Sequence, residues 1–471
     1  MLSTMTTSTY RRLALCVQRA KYFHRVMGVK VRPLFYFDTY GHNSFIQRWQ
    51  EATPQINGIR LYSMPIKLAS AREKQVVSAD VENNGRRLVI TWRDGVKSRY
   101  HSLWLRVSCQ CPKCLQAASN MKLIRVEELD PQTVLEKASV SDDGLAMSLT
   151  WRPGSHMGTI GLDYLRVNRY DPDALATRHH MTTPLFLEEG DPIPEVNYEE
   201  VNASEKGMYK WLRYIDDYGI CMMRNVPTEK LAILQVVEKI APAQKTIYGT
   251  VFDVVQESTP SNFAYSTVEL PLHMDLTYYD TTPGLQFLHC LRFDDTVKGG
   301  DSTFVDLFRV AEDFRKQYPT EFEVLTRVPV IFARIHSARE HPVYMITERK
   351  HIEVNGIGEI VRINWHPGTQ SSMAVPEKDL DGFFDAYLMF AKMIRTSPSY
   401  RTLRLKPGDM IGFNNRRMGH GRTAYEETAA GNRHLQGCYI NIDEFKSMVQ
   451  VLSLTVGDGS LARRVFNGSS F

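Results

Sequence analysis

A mainly β protein with helices is predicted, in which a double-stranded β-helix (jelly roll) follows a small β-rich N-terminal module. Three observations carry that fold class. Strand-like runs recur at short spacing between about residues 252 and 442, parted by turns such as Pro283-Gly284 and Pro407-Gly408. A shorter β-rich region begins near Asp80 and holds three crowded cysteines. Residues 171–200, with Asp171-Pro172-Asp173 and the run from Glu188 to Glu195, are polar and proline-rich and read as a linker. The expected organisation is a basic segment over 1–40, an N-terminal module over 75–170, the linker, a second domain over 201–455 and a tail over 456–471.

The chain has 471 residues, enough for two domains and a large core. Its 43% hydrophobic and 23% charged residues are a globular composition, and no apolar run approaches the length that crosses a bilayer, so no membrane partner is expected. A formal net charge of +4, part of it at the N-terminus, lends nothing to a nucleic-acid role. Seven cysteines, three of them crowded within six residues, do not form the pattern of a secreted disulfide framework; a reducing compartment fits better. Residues 1–37 lack Asp and Glu but hold Arg11, Arg12, Arg19, Lys21, Arg25, Lys30 and Arg32 among Ser, Thr and apolar residues. That is the composition of a mitochondrial transit segment.

In chain order, Arg87 to Trp92 is β-branched and aromatic, and Arg93-Asp94-Gly95 turns it into a second short run from Tyr100 to Val107. This hairpin delivers Cys109, Cys111 and Cys114, a spacing that suits a tight loop around one tetrahedral zinc. The fourth ligand must return in space. His156, after the strand-like run Ala146 to Trp151, is the candidate. Four protein ligands would close the coordination sphere, so this zinc would be structural. Beyond the linker, Glu205 to Tyr218 has helical periodicity, Gly219 to Pro227 reads as a buried strand, and a second helix is expected from Thr228 to about Ile240. Strands are expected around Phe252–Val255, Gln286–Leu291, Thr303–Asp306, Glu359–Trp365, Leu403–Lys406, Met410–Phe413 and Leu435–Ile442, with a helical insertion over Glu377 to Thr396.

The chemistry centres on His273-Met274-Asp275. Residues i and i+2 of an extended segment share a face, so an imidazole and a carboxylate converge there. Such a tripeptide is weak alone, but His420, after a strand-like run, completes two His and one carboxylate, the donor set of a non-haem iron site with open positions. Arg433 lies thirteen residues further on. Its guanidinium could hold the far carboxylate of a chelating dicarboxylate such as 2-oxoglutarate. By spacing alone a surface arginine in a salt bridge is an equal reading.

Several stretches together resemble the γ-butyrobetaine hydroxylase and trimethyllysine dioxygenase family of Fe(II)/2-oxoglutarate oxygenases. They are Ser261-Asn262-Phe263-Ala264-Tyr265, His273-Met274-Asp275, Pro283 to Cys290, Gly299-Gly300-Asp301-Ser302, Lys406-Pro407-Gly408-Asp409, His420-Gly421-Arg422 and Arg433-His434-Leu435. The resemblance covers roughly residues 80–455 and includes the three cysteines and His156 as a zinc site. It implies iron ligands His273, Asp275 and His420, 2-oxoglutarate on Arg433, polar active-site contacts from Asn262, and ascorbate as reductant. It also implies an aromatic cage for a trimethylammonium head, with Tyr248, Phe252, Tyr265 and Tyr439 at cage positions.

The implied reaction is hydroxylation of γ-butyrobetaine to L-carnitine with release of succinate and CO2. Trimethyllysine or another trimethylammonium acid is the alternative substrate, and a catalytically silent binding module is the alternative of another class. Phe252 stands where the vertebrate butyrobetaine enzyme has Trp, Leu276 where it has a cage Tyr, and His366 where it has a substrate-contacting Asn. Leu276-Thr277-Tyr278-Tyr279 resembles the trimethyllysine enzyme, whereas Arg433-His434-Leu435-Gln436-Gly437 and the complete zinc set resemble the butyrobetaine branch. The partner expected is a small molecule, with a homodimer as one option for assembly. The basic N-terminus points to the mitochondrion, with the cytosol as the alternative.

Overall fold

The computed structural model describes residues 76–255, 267–426 and 432–464. The basic segment 1–40 lies outside the described residues, as do Asn262 and Tyr265. No helix among the described residues is long and apolar enough to cross a membrane.

The N-terminal part is two three-stranded antiparallel sheets. Strands β1 (Val76–Glu82), β2 (Arg87–Trp92) and β3 (Lys97–His101) form one; β4 (Val134–Val140), β5 (Ala146–Arg152) and β6 (His156–Gly161) form the other. Their apolar faces meet in one core around Trp92, Tyr100, Leu105 and Trp151. The run expected to continue as strand from Tyr100 to Val107 turns into a helix at Ser102–Val107 instead. His101 starts it by accepting the Leu103 amide on its ring nitrogen, the job of an N-cap.

Residues 171–200 are more ordered than their composition suggests. Asp171 caps a helix, Pro172–Thr182, with Pro in the first turn, and β7 (Glu195–Asn197) joins the main sheet in parallel with β8 (Ile220–Arg224). Between them, Ser204 caps the helix Glu205–Tyr218, and Gly219 ends it at φ +77°. Met208, Trp211, Leu212 and Ile215 form its buried stripe, with Trp211 5.7 Å from Phe287. The second helix is shorter than expected, Ala232–Val237. Leu231 takes a left-handed conformation at φ +67° and gives its amide to the Gln436 side chain, which breaks the helical run.

The second domain holds two sheets. The larger, of six strands, has the order β7-β8-β19-β11-β22-β9, with β9 (Phe252–Val254), β11 (Leu285–Phe293), β19 (Met410–Asn414) and β22 (Arg433–Ile440). The smaller has the order β10-β20-β13-β18, with β10 (Leu270–His273), β13 (Ser302–Asp306), β18 (Arg401–Leu403) and β20 (Met418–Arg422). Side chains from both sheets, among them Phe304 and Phe413 at 5.2 Å, fill the space between them. This is the expected jelly roll. β11, paired on both sides, is buried along nearly its whole length, Gln286 and His289 included.

The region from 307 to 363 went largely unforeseen. It contains helices Leu307–Gln317 and Pro319–Arg327, the hairpin β14 (Pro329–His336) and β15 (Val343–Lys350), and the short pair β16 (Ile352–Val354) and β17 (Ile360–Ile363). The small pair β12 (Lys298–Gly299) and β21 (Tyr425–Glu426) closes the set. The expected insertion is present as the helix Leu380–Thr396, and the strand expected at Leu403–Lys406 sits earlier, at Arg401–Leu403. The expected tail begins differently too. The helix Ile442–Thr455 ends before it, and 461–464 fold back, with Arg463 paired to Asp217 and the Arg464 amide on the Thr182 carbonyl.

One ion pair joins the smaller sheet to its neighbours. Arg417, fully buried, pairs at 2.6 Å with Asp306, whose other oxygen caps the helix Leu307–Gln317. Removing one partner strands a buried charge. Asp306→Ala is expected to lower stability by about 3–5 kcal/mol in urea unfolding. Asp306→Asn, which keeps an acceptor for the cap, is expected to cost less.

Candidate functional site

The smaller sheet explains how residues nearly 150 apart in sequence become neighbours. β10 and β20 are antiparallel, and His273 stands directly across from His420. Side chains directly opposite in such a pair are in contact range, and the ring centroids are 4.3 Å apart. β10 ends there, and two residues on Asp275 brings its carboxylate to 3.2 Å from His273 Nε2 and 3.8 Å from His420 Nε2. Donor atoms of all three lie within 4.8 Å of one another.

The donor set fits an octahedral divalent ion of borderline softness such as ferrous ion. Octahedral bonds of about 2.1 Å set neighbouring ligand atoms about 3 Å apart, near the His273–Asp275 separation. His273 Nδ1 lies 2.8 Å from the Pro271 carbonyl, which fixes that nitrogen as the N–H and leaves the Nε2 lone pair facing Asp275. Burial, and then the neighbouring His273, pull His420 down to about 3, so it offers a neutral ring. Asp275 is held well below the usual carboxylate range: burial opposes this, but the two imidazoles around it and the Tyr439 hydroxyl that donates to its Oδ2 favour the carboxylate.

Asn415, fully buried, clamps the ligand-bearing peptide from both sides. Its Oδ1 accepts the Asp275 amide at 2.8 Å, and its Nδ2 donates to the Asp275 carbonyl at 3.0 Å. The next residue, Leu276, is held at φ +58°, a conformation that costs an ordinary side chain about 1–2 kcal/mol. The clamp holds the turn that aims Asp275. Sequence reasoning missed Asn415, and nothing in Asn414-Asn415-Arg416 singles it out.

Tyr439 was expected in an aromatic cage. The structure also gives its hydroxyl a 2.7 Å hydrogen bond to Asp275 Oδ2. Its ring stacks on Phe252 at 5.2 Å, and Tyr248 stands 6.3 Å from Phe252 at 56°, forming a corner of three rings. Gly437 makes room for it, since a Cβ there would lie 2.3 Å from the Phe252 ring. His366 is also present, its ring 4.8 Å from that of His273, and burial lowers it to about 3. Its Nδ1 is buried with no hydrogen-bond partner among the described residues.

Arg433 leaves β22 beside Gly300, donating to its carbonyl at 3.2 Å, with the guanidinium 5.3 Å from the Phe293 ring. Burial lowers its pKa to about 10, and among neighbouring charges Arg422 contributes most. Arg422 is two residues along β20 from His420, on the same face of the strand. Two neighbouring guanidiniums favour an anion there. Arg422 is a second residue that sequence reasoning left unassigned.

The N-terminal cluster meets a stricter test. His156 Nε2 lies 3.5, 3.8 and 3.5 Å from the sulfurs of Cys109, Cys111 and Cys114. Tetrahedral bonds of about 2.3 Å to sulfur and about 2.0 Å to nitrogen place such atoms about 3.5 Å apart. Arg106 donates to Cys114 Sγ at 3.2 Å, where it would offset the net negative charge of three thiolates on a bound zinc ion.

Two measurements check these sites. Asn415→Ala is expected to weaken ferrous-ion binding about 10- to 100-fold in a metal titration, with the triad intact. Elemental analysis of the purified chain is expected to find zinc in the wild type and none in Cys114→Ser, with a lower melting temperature for the variant.

Comparison with known proteins places both parts. Residues 182–439 match the taurine catabolism dioxygenase TauD, TfdA family, and residues 79–166 match the gamma-butyrobetaine hydroxylase-like N-terminal domain. A gamma-butyrobetaine dioxygenase of Pseudomonas sp. (strain AK-1) is 32% identical over 364 residues, 77% of this chain and 93% of that one. The Homo sapiens gamma-butyrobetaine dioxygenase is 28% identical over 393 residues, 82% and 99% of the two chains. The mitochondrial trimethyllysine dioxygenase of Gallus gallus is 27% identical over 364 residues, 76% and 84%. A crystal structure of a taurine dioxygenase from Burkholderia xenovorans is similar at a TM-score of 0.38 and 12% identity, over 55% of this chain and 89% of that one. The chain belongs to the TauD/TfdA family of dioxygenases and, by its N-terminal domain, to the γ-butyrobetaine hydroxylase-like members of that family.

Proposed function

We propose that the protein hydroxylates γ-butyrobetaine to L-carnitine, converting 2-oxoglutarate and O2 to succinate and CO2. The observation that carries this reading is the contact of Tyr439 with both sites: its hydroxyl touches Asp275 while its ring forms a wall of the aromatic corner. A quaternary ammonium cannot donate a hydrogen bond and is held by aromatic faces, so such a corner suits it. The relatives named for γ-butyrobetaine match at 32% and 28% identity.

In this reading His273, Asp275 and His420 hold ferrous ion, and Arg433 pairs with the far carboxylate of 2-oxoglutarate. Bound iron supplies the oxygen chemistry that couples oxidative decarboxylation to C–H hydroxylation. The chain's own work is placement. His420 is kept neutral by burial, Asn415 holds Asp275, and Tyr248, Phe252 and Tyr439 set the ammonium head so that one C–H faces the metal. Cys109, Cys111, Cys114 and His156 hold a structural zinc.

Trimethyllysine is the second substrate reading. Leu276 in place of a cage tyrosine and His366 in place of an asparagine favour it, as does a basic segment over 1–40 that would direct the chain to mitochondria. Mass spectrometry of products from a panel of trimethylammonium acids, with Fe(II), 2-oxoglutarate and ascorbate, decides between them. The expected result is hydroxylated γ-butyrobetaine with equimolar succinate. His273→Ala is expected to lose at least a thousandfold in turnover. Full activity of that variant, or no hydroxylated product from any of the acids, defeats the proposal. A fusion of residues 1–40 to a fluorescent protein is expected to label mitochondria; a diffuse cytosolic signal refutes the targeting.

A further inference from the structure

The hairpin β14–β15 belongs to neither main sheet; its two strands pair with each other through eight consecutive registers, Pro329 with Lys350 to His336 with Val343, and β14 is bridged besides at Phe332 to Gln370. β15 alternates strictly between exposed and half-buried residues. Tyr344 and Ile346 face outward, 74% and 49% exposed. Thr347 and Arg349 face inward, where they are spent on one purpose. The Thr347 hydroxyl donates to the Tyr278 carbonyl at 2.9 Å, and the Arg349 guanidinium donates to those of Thr277, Tyr279 and Asp280. Four successive carbonyls of the segment that follows Asp275 and Leu276 are therefore tied to this hairpin.

The loop joining the two strands reaches the other cage segment. Arg339 donates to the Ile247 carbonyl at 2.6 Å, and its guanidinium lies 5.5 Å from the centre of the Tyr248 ring. The two segments are also joined to each other, by the Ile247 amide on the Tyr279 hydroxyl at 2.9 Å and by the Tyr248 and Tyr278 hydroxyls at 3.5 Å. Tyr248 lies inside a turn closed by Thr246 and Gly249, so its backbone is anchored and the contacts of its side chain orient the ring. A cation against the face of a tyrosine supplies that orientation at a cost of only one side chain's freedom.

We propose that β14–β15 is a strap that sets the geometry of the substrate cage, with Arg339 as the positioning residue that fixes the ring of Tyr248. The inference rests on the reading of Tyr248 as a wall of a trimethylammonium site. Arg339 acts through Tyr248 and touches neither the metal triad nor Arg433. Its loss therefore weakens substrate capture and leaves the chemical step intact.

The test compares Arg339→Ala, Arg339→Lys and, as a control on the outer face, Tyr344→Ala in the full chain. Arg339→Ala is expected to raise KM for γ-butyrobetaine roughly tenfold, the effect of one lost cation–aromatic contact, with kcat within about twofold. KM for 2-oxoglutarate and the melting temperature should stay at the wild-type values, and calorimetric titration of γ-butyrobetaine should show the same roughly tenfold loss. Arg339→Lys should recover most of the affinity, and Tyr344→Ala should match the wild type. An active enzyme in which Arg339→Ala leaves the γ-butyrobetaine KM unchanged, or lowers kcat with the melting temperature, overturns the strap and spares the function. A wild type that turns over no trimethylammonium acid overturns both.

Discussion

The antiparallel pairing of β10 with β20 is the constraint from which the rest follows. It sets His273 opposite His420, and a slip of one residue would turn one of the two imidazoles to the other face of the sheet. That register is held from the far side as well, because β20 also pairs with β13 through five consecutive residues, Ser302 with Arg422 to Asp306 with Met418. The buried Asp306–Arg417 pair pins the end of that ladder. The metal-binding geometry is thus a property of a whole sheet, and a local motif supplies only part of it.

The carboxylate is held differently. Asp275 lies beyond the strand, where no ladder can aim it, and a side-chain clamp replaces the ladder. Asn415 mimics a neighbouring strand by accepting one amide and donating to one carbonyl of the same residue. With both peptide groups engaged, Leu276 is kept in a left-handed conformation that it would not adopt alone. Strain next to a ligand is tolerable because several hydrogen bonds over-determine it. The aromatic corner then inherits its position from both devices. Tyr439 comes from β22 of the larger sheet and bonds to Asp275, while Tyr248 is held from outside by the loop of β14–β15.

The N-terminal domain obeys another logic. Its two small sheets enclose a modest core, and the Cys3His cluster lies inside that core beside Trp151. A closed tetrahedral site adds cohesion where apolar area is limited and leaves no position for substrate. Structural and reactive metal sites are therefore divided between the two parts according to how many ligands the protein supplies.

The local chemistry was legible from the primary structure. The C-x-C-x-x-C loop, His273-Met274-Asp275 and the strand-borne His420 carry their meaning in residue type and short spacing, and the jelly roll shows in recurrent short apolar runs parted by turns. The amphipathic stripe of Glu205–Tyr218 was equally plain. Residues whose role depends on what faces them were not. Asn415, Arg422 and Arg339 are ordinary polar residues until the fold brings a peptide, a second guanidinium or an aromatic ring against them. The hairpin β14–β15 escaped because it stands outside both main sheets, and the helix after Leu231 was overestimated because a contact with Gln436, 205 residues away, delays its start. Short-range pattern determines which ligands exist, since spacing and side-chain chemistry are local; only the tertiary structure decides how they are aimed, because hydrogen bonds and packing across sheets join residues that share no neighbourhood in the chain.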